Sequence, residues 1–76
     1  MTADDLELIA EDVHNSWMIE RELQGWKYGE QYSLEQKLHP SMIPYCELSE
    51  KEKQLDRSTA KQVIRSLMRL GYRIEK

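Results

Sequence analysis

The chain has one cysteine (Cys46), three glycines, two prolines and no phenylalanine. A lone thiol forms no intrachain disulfide, so no covalent staple is available to the fold. No apolar run approaches the ~20 residues that span a bilayer. The opening Met1-Thr2-Ala3-Asp4-Asp5 is acidic where a secretory leader is basic. A cytoplasmic, soluble protein with no membrane partner is therefore expected. Basic excess is missing too: 11 Lys and Arg stand against 14 Asp and Glu, net -3. That balance argues against a nucleic-acid polymer as partner. There is no glycine-rich phosphate loop, no Gly-x-Ser-x-Gly and no His-Glu-x-x-His. His39 and Cys46, seven apart, match no standard zinc spacing. No catalytic residue, metal or cofactor is expected, and the chain reads as a non-enzyme.

What remains is one small domain of 76 residues, 39% apolar and 33% charged. A globule of this size buries roughly 60% of the surface its unfolded chain exposes. Such domains commonly need a disulfide, a metal or a partner chain to complete their stability.

Two amphipathic stretches frame the chain. Leu6, Ile9, Ala10, Val13 and Trp17 form one face of a helix running from roughly Asp4 to Gln24. Thr2 or Asp4 is its N-cap, and Gly25 suits the left-handed residue after its end. Ser49-Glu50-Lys51-Glu52 is a capping-box pattern opening a second helix that ends near Leu70, before Gly71. Its stripe is Ala60, Val63, Ile64, Leu67 and Met68. Asp56 is a second possible N-cap, so one bent helix and two pieces are both open. Between them, Gly25 to Leu48 is an ordered loop with short strands, and Ser33 to Leu38 is a candidate helical turn. Tyr72-Arg73-Ile74 alternates and is a candidate strand against that loop. The fold class is mostly α: two main helices flanking an ordered central loop, in one domain over residues 1–76.

Six short motifs occur in order: His14-x-x-Trp17, Gly25-Trp26-x-Tyr28-Gly29, His39-Pro40, Pro44-Tyr45, Asp56-Arg57 and Leu70-Gly71-Tyr72. Each is weak alone; together, over residues 6–74, they are specific. The chain resembles the ryanodine receptor repeat domain, known from large calcium-release channels and from short prokaryotic and phage proteins. Met42-Ile43 departs from the leucine or valine more usual before Pro44. In the channels such repeats occur as tandem pairs outside the pore, so the resemblance implies no channel activity. It does imply that a single repeat restores the pair as a homodimer, which is the staple the size argument asks for. Prokaryotic members resemble sensors in nucleotide signalling or phage defence, which implies a nucleotide-derived small molecule as ligand.

Each candidate site residue has a plainer reading. Trp17, Trp26, Tyr28, Tyr45 and Tyr72 form either an aromatic cage for a planar ligand or, with phenylalanine absent, the core itself. His14 is expected to bond a loop carbonyl, and His39 to orient its turn or line a pocket. Cys46 is expected to be a small apolar filler. Asp56-Arg57 is a cap and ion pair, or an anion site. Residues 1–47 carry three bases and ten acids, whereas residues 48–76 carry eight bases and four acids. Arg57, Lys61, Arg65 and Arg69 recur every fourth residue. Either the two helices pair by charge, or the strip docks an anionic partner. The ligand-binding set is Trp26, Tyr28, His39, Tyr45 and Arg57, in a non-catalytic binding module. The alternative is a purely structural protein–protein or dimerisation module without a small-molecule ligand.

Overall fold

A computed structural model describes residues 1–75. Helix α1 spans Ala3–Leu23 and helix α2 spans Glu50–Arg69. Between them lie two-residue strands β1 (Lys27–Tyr28) and β2 (Leu38–His39), then a 3-10 turn at Tyr45–Glu47. The architecture is mostly α, as the two apolar stripes predict.

The helix ends follow from local chemistry. The Thr2 hydroxyl accepts from Asp5 N at 3.0 Å, and the Asp5 carboxylate accepts from Thr2 N at 3.2 Å. This reciprocal box satisfies two donors that helix geometry leaves orphaned. Ser49 caps α2 by accepting from Glu52 N at 3.2 Å. Asp56 lies inside α2, which is one continuous helix, so Asp56 caps nothing. Both helices end on the same device. Gly25 N donates to Glu22 O and Trp26 N to Arg21 O; Gly71 N donates to Met68 O and Tyr72 N to Leu67 O. Gly25 and Gly71 take φ of +92° and +97°, the left-handed region where a side chain costs energy.

The loop folds onto itself. β1 and β2 pair in parallel, Lys27 with Leu38 and Tyr28 with His39. Ser33 bridges Leu38 from the other side, antiparallel. The expected helical turn at 33–38 is instead a tight reversal. The Ser33 hydroxyl accepts from Gln36 N at 3.1 Å, and Lys37 adopts φ +57°. That competes with helix formation by giving the backbone a side-chain acceptor. Lys37 Nζ then donates to Gln24 O at 2.7 Å, a cation on the negative end of α1. The candidate strand at Tyr72-Arg73-Ile74 does not form; its residues carry no strand pairing. Three alternating residues supply too little ladder to hold an edge.

His14–Asp56 and Glu7–Arg57 contacts run in opposite chain directions, so the helices are antiparallel. Ala10 and Ala60 are the most deeply buried residues. Ala10, Tyr45 and Leu48 form the core cluster, with Ile43 packed against it. The second stripe is only partly covered: Ala60 is buried, but Val63, Leu67 and Met68 are 55%, 39% and 61% exposed. α2 runs past the start of α1, so its outer turns have no second layer to bury against. The radius of gyration is 14.6 Å, against about 11 Å for a compact domain of this length. Cys46 is exposed and fills no core position, because the 3-10 turn directs Tyr45 and Leu48 inward instead. Among the described residues, no helix is long and apolar enough to cross a membrane.

Candidate functional site

Four of the five residues predicted for a site fall into two separate constellations. The first ties the helices together. Glu7 sits on α1 one turn before Ala10 and two before His14, on the face turned toward α2. Its carboxylate accepts from the Tyr45 hydroxyl at 2.6 Å and from Arg57 Nε and Nη2 at 2.8 and 2.9 Å. Arg57 Nη1 also donates to Glu50 at 3.1 Å. The Arg57 and Tyr45 hydrogen bonds pull the Glu7 carboxyl down to about 2. Burial, followed by the Glu7 contact, pushes the Tyr45 phenol up to about 12. Lys53 Nζ lies 5.7 Å from the Tyr45 ring centre. Arg57 is thus neutralised twice within the chain, and Tyr45 is buried with its hydroxyl occupied. Sequence reasoning selected both and missed Glu7, one of ten acids in the first 47 residues.

The second constellation is aromatic. His39, delivered by β2, stands at its centre. Its ring centroid lies 5.0 Å from Trp17, 5.5 Å from Tyr32 and 6.3 Å from Trp26, all edge-on. Trp26 and Tyr32 are 5.7 Å apart. His39 Nδ1 accepts from Ser41 N at 3.0 Å, which fixes the ring and leaves Nε2 as the proton-bearing nitrogen. Trp26 is set by the end of α1, its N–H bonded to Arg21 O. Trp17, Arg21, Trp26, Tyr32 and His39 line an open cleft of about 210 Å³. Arg21 Nη1 also donates to Gln24, at 3.0 Å.

A second hollow of about 200 Å³ shares Trp17 and His39 as its wall and is lined beyond them by His14, Glu52, Leu55 and Asp56. His14 is buried, and its Nε2 donates to Ile43 O at 2.7 Å, the bond to a loop carbonyl expected of it. This leaves Nδ1 facing Asp56 at 3.9 Å, too far for a hydrogen bond. Burial, with the Glu52 charge beside it, raises the Asp56 carboxyl above its usual range. Glu52 is held the other way, lowered chiefly by the hydroxyl of Ser41 that donates to it.

Of the predicted set, then, Trp26 and His39 meet in the aromatic cleft, while Tyr45 and Arg57 meet at Glu7. Tyr28, on β1, is exposed and lines neither hollow. Trp17, Arg21 and Tyr32 line the cleft without having been in the set. Trp17 carried a signal, being three residues from His14 and four before Arg21 on one helix face; Tyr32 carried none. Among the described residues, no group of three His, Cys, Asp or Glu side chains is arranged to hold a metal ion.

A helix pair carrying a loop whose aromatic side chains line a shallow cleft defines a small, mostly α module. A family model described as the RyR domain matches residues 3–76. The chain belongs to the RyR domain family.

Proposed function

We propose that this chain is a non-catalytic binding module whose aromatic cleft takes a nucleotide-derived small molecule, with no channel activity of its own. The observation that supports this reading is the cleft itself: four rings with a guanidinium at the rim. A planar base stacks on an aromatic face regardless of its identity, each such contact contributing about 1–3 kcal/mol; Trp26 is buried as the floor of the cleft, and Tyr32 is the exposed ring over it. Arg21 is placed for a phosphate, by a charge-assisted bond that Arg57 is not free to make. The adjoining hollow offers the carboxylates of Glu52 and Asp56 as acceptors for sugar hydroxyls. The cleft, at about 210 Å³, lies below the roughly 300–1,000 Å³ of drug-sized ligand sites and suits a single planar group such as one base.

Calorimetry with a panel of nucleotides and ADP-ribose derivatives tests the reading. A saturable heat is expected with at least one member, and Trp26→Ala and Arg21→Ala each abolish it while Tyr28→Ala does not. Silence across the panel overturns the ligand and leaves the second reading, a protein–protein module. That reading is favoured by one observation, the uncovered apolar stripe on α2.

A further inference from the structure

The start of α1 and the end of α2 meet around Met1, where three shallow hollows adjoin. The largest, about 580 Å³, is lined by Met1, Ile64, Met68, Tyr72 and Ile74. A second, about 330 Å³, lies against Leu8, Ile9 and Ile74, with Asp5 and Glu75 at its edge. A third, about 320 Å³, lies against Leu6 and Ile64, with Lys61 and Arg65 at its edge. Met1, Leu8, Met68 and Tyr72 in their walls are all well exposed. Monomeric proteins rarely leave so contiguous an apolar surface bare.

We propose that this basin is the surface by which two copies of the chain associate. The charges choose the occupant. One flank of the basin is basic: Lys61 and Arg65 at the edge, Arg69 one turn on. The other flank is mainly acidic: Asp5 and Glu75 at the edge and Asp12 one turn on from Leu8, against one base, Arg73, which faces Glu75 at 3.9 Å in an exposed pair. Among the described residues, Lys61, Arg65, Arg69 and Asp12 have no ion pair within the chain. A surface with one flank of each sign is complementary to itself. A twofold axis through the basin sets each copy's basic flank on the other's acidic flank, so one pairing is satisfied twice. An anionic lipid surface is repelled by the acidic flank and gains no such match. A stable interface covers about 800 Å² per partner, roughly an eighth of the 6034 Å² this chain exposes. The association is independent of the aromatic cleft, which lies at the other end of α1.

Sedimentation equilibrium of the full chain tests this. The expected mass is twice 9.1 kDa, falling toward one copy as salt rises. Met68→Glu and Tyr72→Glu, α-helical by circular dichroism, each weaken the dimer by at least about tenfold. Lys61→Glu with Arg65→Glu weakens it similarly, as does Asp12→Lys with Glu75→Lys. Combining the two sets on one chain restores it, an outcome that misfolding cannot produce. A chain still monomeric at about 100 μM, so that any Kd for pairing is weaker than that concentration, overturns the proposal. So does a dimer indifferent to Met68 and Tyr72, or charge variants that fail to rescue one another.

Discussion

The two ends of α1 present opposite kinds of surface. At its C-terminal end, Trp17 and Arg21 join the loop in a concave site that is ringed with aromatics and carries one cation. Its geometry is held by hydrogen bonds: His39 to Ser41, Trp26 to Arg21, Lys37 to Gln24. At the N-terminal end the basin is broad, apolar and split by charge, and it is shaped by where α2 outruns its neighbour. Concavity and fixed aromatic and polar groups suit a small ligand, whereas area and paired flanks suit a protein surface. Between them stands the Glu7–Tyr45–Arg57 contact, whose groups are consumed in holding the helices together.

The largest effect breaks that centre. Tyr45→Ala removes a buried ring from the core cluster and is expected to cost about 3 kcal/mol in urea unfolding. Both ends should be lost in one transition; a loss confined to the loop would mean the ends fold separately. Next comes Gly29→Ala. An added Cβ meets Leu38 Cβ at 2.7 Å, so β1 and β2 must part. A cost of about 1–3 kcal/mol is expected, with ligand heat lost and the dimer retained. Gly71→Ala is the matching change at the other end. Its Cβ has open space, so only the φ of +97° opposes it, at about 1 kcal/mol. The dimer should weaken through the redirected tail while ligand heat persists.

The smallest effects are those of pH, and they belong to the centre alone. Glu7 is depressed in the folded chain, so its stabilisation is present above the unfolded value of 4.5 and lost as pH falls toward about 2. Asp56 is raised, so its contribution has the opposite sign, present below its unfolded value and lost as pH rises through its folded one. Glu7→Gln should flatten the acid loss seen in thermal melts, and Asp56→Asn should steepen it. Tyr45 is also raised: its contribution holds below 10 and is lost as pH rises through about 12, a loss that Tyr45→Phe removes. Unchanged acid and alkaline limbs in these variants would show that the Glu7 contact does not form in solution.

Both helices were visible in the sequence because their signals are local: an apolar residue every three or four, a capping serine, a glycine after each end. His14 was visible too, since a buried imidazole needs an acceptor and the loop is rich in carbonyls. The site was only half visible. That Arg57 is spent on Glu7 depends on a contact 50 residues away in sequence, and no spacing rule selects one acid among ten. Tyr32 reaches Trp26 and His39 only because Ser33 and Lys37 reverse the chain. Periodicity marked Val63, Leu67 and Met68 as one face of a helix, but a period says nothing about whether another element covers that face.

The division of labour between the two ends is tested most directly by amide hydrogen exchange, run dilute and concentrated, with and without the nucleotide that gives heat. Ligand is expected to slow exchange across residues 26–43 and leave 61–74 unchanged, while raising protein concentration does the reverse. Protection of the α2 end by ligand, protection of the loop by concentration, or no response to either would contradict it.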